Sequence, residues 1–325
     1  MESEVTRREF VKATLAASGT AAAAVGLGGA MAGAAAAEEP PAATPPAAPP
    51  APPAQQAALP QGKIKDLSIS RLLLGGNLLT HYTHSRDLRY VYDLAKHYNT
   101  REKIIETMAL AEANGINTVV LQGITDVLKE YREKRGGKIQ CIYGPIAPVD
   151  DGLVQYGKAV EDVIDAGVDA IYFWGVHADG LVPQGKVDVI AKAVEMAKSY
   201  GVPSGVAAHN SEVIVACEKN KVGADFYIKT LHHHNYPSAT LNFDSMWCSN
   251  PEETAEIMKG VDKPWIAFKV MAAGAIPPAD AFPYSYKNGA DFILAGMFDF
   301  EVAEDARIAR EALAGLKDRA RPWRA

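Results

Sequence analysis

The sequence predicts an α/β fold of the (β/α)8 TIM-barrel class, and three observations carry that expectation. After Lys63, short β-branched or aromatic runs alternate with amphipathic helical stretches, and they do so eight times. Helix candidates end in a glycine just before the next strand at Gly115, Gly167, Gly201, Gly223 and Gly289, the stop expected of helices that return to a parallel sheet. The eight units also fill the span of about 250 residues that such a barrel occupies. A doubly wound open sheet is built from the same units. Closure is favoured by alternation on the strands, which would turn Trp265, Ala267 and Lys269 inward against Ile266, Phe268 and Val270 facing the helices.

In chain order, residues 1–37 read as a twin-arginine export signal. Arg7 and Arg8 stand before Phe10 and Lys12, an Ala/Gly-rich run follows from Ala13 to Ala37, and Ala35 to Ala37 suit a small-residue cleavage site. Alanine and glycine supply too little transfer energy for a stable span once the signal is cleaved. Residues 38–62 hold nine of the 20 prolines and read as a disordered Pro/Ala-rich linker. Residues 63–325 form the barrel domain. Its predicted strands are Ser70 to Gly75, Asn117 to Gln122, Lys138 to Tyr143, Asp169 to Gly175, Pro203 to His209, Asp225 to Leu231, Pro264 to Met271 and Asp291 to Met297. Between the first strand and its helix lies Leu78 to Thr100, rich in tyrosine, histidine and charge. Holding so polar an insertion is costly unless it covers or reads something, so it is expected to be a lid or recognition loop.

Composition narrows the partners. The 325 residues are 48% hydrophobic, enough to fill a large core, and a net charge of −6 without a basic cluster argues against nucleic acid. A small molecule is the expected partner, with the twin-arginine export machinery as the other. Three scattered cysteines, Cys141, Cys217 and Cys248, make no disulfide framework.

Several strand ends resemble the aldo-keto reductase barrel. SRLLLGGN is similar to that family's glycine-rich first strand, AEANGINTVV to its second helix-strand junction, GVDAIYFWGVH to its fourth strand ending in His177, GVAAHN to its fifth and GADFILAGM to its eighth. The resemblance implies the fold across most of Ser70 to Leu313, an orienting role for His177 and an NADP cofactor. The rest of the reductase tetrad is missing. No carboxylate stands in Val119 to Gln122, no tyrosine follows at the family's distance, and the third strand has no lysine at its mouth end.

At the strand ends, where such barrels do their chemistry, the sequence places Asn77, Gln122, His177, His209, Lys229, Lys269 and Asp299. Lys229 and Lys269 on neighbouring strands would each make protonation of the other costlier, leaving one amine neutral enough to form a Schiff base. GADFYIKT and AFKVMAAGAI also resemble the paired-lysine strands of deoxyribose-phosphate aldolases, which implies Lys229 as nucleophile, Lys269 as its tuner and Asp169 as acid/base. A structural alternative pairs each lysine with a carboxylate such as Asp225 or Asp299. The expected substrate is a small non-phosphorylated carbonyl or sugar-like compound, held by Asn77, His84, Arg86, Asp87, Gln122, Trp174, His209 and Asn210. Pro277, Pro278, Asp299 and Glu301 disfavour a phosphate group. The lyase reading needs no cofactor. A nicotinamide-dependent oxidoreductase, a zinc hydrolase using His209, His232 and His234, and a non-catalytic carbohydrate-binding barrel stay open as alternatives.

Overall fold

The computed structural model describes residues 58–237, 239 and 244–325. The twin-arginine segment and all of the Pro/Ala-rich stretch up to residue 57 lie outside the described residues. The chain enters with an antiparallel hairpin, β1 (Gln61–Ile64) and β2 (Leu67–Ser70). Eight parallel strands follow: β3 (Leu72–Gly75), β4 (Thr118–Leu121), β5 (Gln140–Tyr143), β6 (Ala170–Phe173), β7 (Ser204–Ala208), β8 (Phe226–Thr230), β9 (Trp265–Phe268) and β10 (Phe292–Gly296). They close in sequence order, with β10 hydrogen-bonded to β3. All eight lie inside the stretches predicted for them, so the closed barrel expected from the pattern is the observed one. The hairpin was not foreseen; its Ile64 and Ile69 are fully buried and join the interior cluster of the barrel, closing the end where the strands begin.

The helices are α1 (Arg89–Tyr98), α2 (Arg101–Ala113), α3 (Thr125–Arg135), α4 (Val154–Asp165), α5 (Gly175–Leu181), α6 (Val187–Lys198), α7 (Ser211–Lys219), α8 (Pro251–Lys259), α9 (Pro278–Lys287) and α10 (Val302–Ala314). The insertion read as a loop thus carries a helix of its own, α1. Thr100 caps the next helix by accepting from the Lys103 N–H, which separates α1 from α2 as two short helices. At Gly76 a Cβ would sit 2.2 Å from the Val120 carbonyl oxygen. Only glycine lets the chain leave β3 so close to its neighbour.

The alternation, by contrast, runs opposite to expectation. Leu73, Val120, Ile142, Phe226, Ile228 and Ile266 pack together inside the barrel. Tyr227, Trp265 and Ala267 belong to the layer between barrel and helices; past the end of β9 the expectation holds, with Val270 in that layer and Lys269 at the cavity. Because the side-chain period of a strand is two, a reading displaced by one residue exchanges both faces at once. That reading sent the indole of Trp265 into an interior that is filled instead by branched side chains and single phenyl rings.

A recurrent latch pins the strands at their starts. In Gly115-Ile-Asn117, Gly167-Val-Asp169, Gly223-Ala-Asp225 and Gly289-Ala-Asp291 the glycine ends the helix and the third residue accepts a backbone N–H from the preceding strand or, for Asn117, from the end of β2. The acceptors are Asn117 from Ser70 at 2.8 Å, Asp169 from Cys141 at 2.7 Å, Asp225 from Ser204 at 3.0 Å and Asp291 from Trp265 at 3.0 Å. Asp169 therefore lies at the end of the barrel opposite the mouth, paired with Arg132 at 2.9 Å, and cannot serve as the acid/base of an aldolase site. Asp291, fully buried, also holds Arg319 at 3.3 Å and Arg321 at 3.6 Å. Replacing Asp291 with alanine leaves two buried guanidiniums without their counter-charge. Denaturant unfolding of that variant is expected to show a loss of about 3 to 5 kcal/mol, against about 1 to 3 kcal/mol for Asn117→Ala, which removes a neutral amide that accepts from Ser70 and donates to Ser68 O.

Candidate active site

The strand ends and the inserted segment enclose a mostly apolar cavity of about 650 Å³. Its walls include Gly75, Gly76 and Asn77 after β3, Gln122 after β4, Tyr172 and Trp174 of the β6 end, His209 after β7 and Lys269 after β9. From the insertion, His81, Tyr82, Thr83 and His84 with Val91 and Tyr92 of α1 complete it, as a recognition loop would.

Lys269 is strongly perturbed in this cavity. It follows the last residue of β9 with φ +57°, and Ala272 and Ala273 just beyond are also left-handed, at φ +47° and +54°. Such backbone costs of order 1 to 3 kcal/mol per residue and persists only where the surroundings over-determine it. The lysine's Nζ lies 2.6 Å from His84 Nε2 and 3.9 Å from the centroid of the Trp247 ring. His84 Nδ1 is 2.8 Å from Asp244 Oδ1, and the Ser85 N–H donates to Asp244 Oδ2 at 3.0 Å. A carboxylate only accepts, so Nδ1 carries the proton and Nε2 presents its lone pair to the amine. Burial lowers the Lys269 ammonium from 10.5 to about 7, with Asp244 opposing the shift. His84 is lowered too, first by burial and then by the charge of Lys269. The result is a lysine, histidine and aspartate in line, poised to pass a proton near neutrality.

A second histidine-aspartate pair faces the same indole. His209 Nδ1 lies 2.7 Å from Asp179 Oδ2, and Asp179 also accepts the backbone N–H groups of His209 and Asn210. The His209 and His84 rings stand 5.1 Å and 5.0 Å from Trp247. Deeper in, Gln122 Nε2 donates to the Tyr172 hydroxyl, whose ionisation burial pushes upward.

Other expected site residues are placed elsewhere. Lys229 shares the parity of Tyr227 and Leu231 and points into the helical layer, fully buried, donating to Thr230 Oγ1 at 2.8 Å and Thr230 O at 3.1 Å. It is not a neighbour of Lys269 in the mouth, and burial lowers its ammonium pKa. Nor is it paired with Asp225, which holds Lys65 at 3.1 Å. Asp299 accepts from Tyr98 at 2.7 Å and Lys103 at 3.0 Å, fastening α1 and α2 to the loop after β10. His177 sits in the first turn of α5, outside the cavity lining, with a buried Nε2 that has no partner. Arg86 and Asp87 lie in the insertion but do not line the cavity, and Asn210 lines a small separate cleft.

The histidines after β8 are also spoken for. His232 Nε2 accepts from the Trp247 and Cys248 N–H groups at 3.0 and 2.9 Å, and its Nδ1 donates to His233 O at 3.1 Å. His234 Nε2 donates to Cys248 O at 2.6 Å. These rings fasten the loop that carries Asp244 and Trp247, and with His209 they do not converge; among the described residues no group of three or more His, Cys, Asp or Glu is placed to hold a metal. Zinc therefore does not fit this set. Asp179, Asp244, Tyr172 and Trp247 had no signal in the chain, because each meets a site partner 30 residues or more away, Trp247 through the rings of His84 and His209.

No family model and no curated protein matches this chain. Solved structures similar to it are barrels. PA4992 of Pseudomonas aeruginosa, provisionally assigned as an aldo-keto reductase, aligns with TM-score 0.54 and 15% identity over 78% of this chain and 95% of its own. Gox0644 in its apo form aligns at 0.53 and 11% identity over 82% and 98%. A Gox0644 variant solved with NADPH aligns at 0.50 and 13% over 74% and 84%. At these identities the likeness is one of fold.

The two lysines make distinct predictions. Lys269 titrates near 7 when folded and at 10.5 when unfolded, so the unfolded chain binds more protons between those values and stability rises with pH across that window. Lys269→Met is expected to flatten that rise in melting temperature between about pH 7 and 10. Lys229→Met removes a buried ammonium that has no carboxylate in contact among the described residues. Its melting temperature at pH 7 is expected to be equal to or higher than that of the parent, and a clear drop would show that the amine is needed where it lies.

Proposed function

We propose that this barrel is an enzyme acting on the carbonyl group of a small, non-phosphorylated, sugar-like molecule, with Lys269 as its reacting group. One observation carries the reading: an amine lowered to about 7 stands 2.6 Å from a histidine-aspartate pair inside an apolar cavity at the strand ends. Burial makes the neutral amine accessible at neutral pH, which is what a lysine needs to attack a carbonyl. His84, held by Asp244, takes the ammonium proton. The amine then forms a C–N bond to the carbonyl carbon, a proton passes from that nitrogen to the oxygen to give a carbinolamine, and His84 returns its proton as the hydroxyl leaves as water. The imine retains a positive charge over the Trp247 face. His209, oriented by Asp179, is placed to move a further proton on the substrate, and Asn77, Gln122 and Trp174 to bind its hydroxyls and its apolar face.

The likeness to a barrel solved with NADPH carries a second reading, a nicotinamide-dependent oxidoreductase of the aldo-keto reductase type. The cavity residues fit that cofactor poorly. Lys269 is the one lysine or arginine among the described residues lining it, while the loops after β9 and β10 bring Pro277, Pro278, Glu301 and Asp305 where its phosphates would need donors and cations. Export by the twin-arginine route, read from Arg7 and Arg8, is part of the proposal and would admit a folded enzyme.

Borohydride trapping with a panel of hydroxyketones and keto-sugars, mapped by mass spectrometry, is expected to yield an adduct on Lys269. Its yield should rise with pH through about 7, as the amine loses its proton. Lys269→Ala should abolish it and Lys229→Met should keep it; absence of any adduct across the panel would end the imine chemistry. Saturable quenching of tryptophan fluorescence by NADPH would instead move the assignment to the oxidoreductase.

A further inference from the structure

The cavity holds a second polar feature that the chemistry at Lys269 does not use. Where the loop after β10 enters α10, Glu301 and Asp305 line the wall beside Phe298. Glu301 is held by the Phe298 N–H, which donates to its Oε2 at 2.8 Å. Asp305 is 4% exposed, and its carboxyl takes no hydrogen bond and no ion pair among the described residues. Burial, then the charges of Glu301 and Glu304, raise it to about 7. The cations around it are engaged elsewhere. Arg307 bridges Glu304 and Glu311 on the exposed face of α10, Arg310 donates to Asn114 O at 3.2 Å, and Lys103 holds Glu106 and Asp299. A buried carboxyl without a partner is destabilising, and one that lines a cavity is in position to receive its partner from a ligand.

We propose that Glu301 and Asp305 form a subsite for an ammonium group, so that the substrate is a carbonyl compound that also carries an amine, an amino sugar being the nearest class. The inference rests on the Lys269 reading for the carbonyl half and is independent of it for the amine half. Two carboxylates and the ring of Phe298, itself edge-on to Tyr98 at 5.7 Å, offer a small cation both charge and a π face. They repel a phosphate or a carboxylate at the same place. A divalent metal is the poorer occupant, since it needs more oxygen ligands than two carboxylates supply.

Calorimetric titration of the full chain with aminopentanol and with pentanediol tests the subsite, because neither probe has a carbonyl and neither needs Lys269. The amine is expected to bind saturably and the diol about ten-fold more weakly. Asp305→Asn should lower amine affinity about ten-fold and leave the diol unchanged, while Lys269→Ala leaves the amine bound. Asparagine resembles the neutral carboxyl in shape, and unchanged melting of the variant confirms its fold; Glu301→Gln provides a second variant with less burial at stake. Equal affinity for amine and diol, or amine binding that neither variant alters, would overturn the proposal, as would calcium binding that displaces the amine and is lost in Asp305→Asn. A Lys269 adduct without an amine preference would leave the carbonyl chemistry standing and remove the subsite alone.

Discussion

Four short side chains, Asn117, Asp169, Asp225 and Asp291, each take a backbone N–H from an earlier strand, Asn117 from the end of β2 and the others from the strand before their own, and the rest of the barrel is built on those latches. A parallel ladder has no tight turn to set its register, so register must come from the connections and from side chains at the strand starts. Here the glycine that ends a helix and the acceptor two residues later do both in three positions of sequence. The fourth latch is also the most heavily charged, since Asp291 gathers Arg319 and Arg321 beneath the barrel, and Arg71 donates to its carbonyl at 3.0 Å. Polar groups concentrated at this end leave the mouth free to be apolar.

That division explains why a lysine at the mouth is perturbed so far. With the interior filled by branched side chains and the insertion folded over the opening, the amine of Lys269 meets an indole and an imidazole in place of water. Desolvation dominates the attraction to Asp244, and the strained turn after β9 holds the amine there. Trp247 is the hub. Three polar groups contact its ring, and the loop bearing it is held by His232 and His234 through backbone atoms of Trp247 and Cys248. Histidines that look like ligands in sequence serve as fasteners, because a neutral imidazole with one donor and one acceptor can tie two backbone segments at once.

Charge is distributed along the cavity with the amine at one place and the carboxyls of Glu301 and Asp305 at another. In the proposed reading such an arrangement orients a polar substrate. It also sets this site apart from a dinucleotide cradle built on helix N-termini and basic side chains.

The repeat of strand, helix and glycine stop was legible residue by residue, because helix and strand periodicity and the C-terminal glycine are local properties of the chain. So was part of the cavity lining, from the glycines of β3 to His84, His209 and Lys269. Strand parity was not legible. In a strand buried on both faces every residue is apolar, and Trp265 and Ile266 offer no contrast to say which turns inward. Parity alone does not separate Lys229 from Lys269, since both follow the helix-facing side of their strands; the left-handed turn at Lys269 brings it to the cavity. The partners Asp179, Asp244 and Trp247 come from loops and a helix far along the chain, and only closure of the barrel brings them to one indole. Sequence by itself determined the architecture and the end at which its candidate site residues gather; the tertiary structure decided which of two desolvated lysines opens onto the cavity, since facing and burial belong to the packed fold and to no stretch of the chain alone.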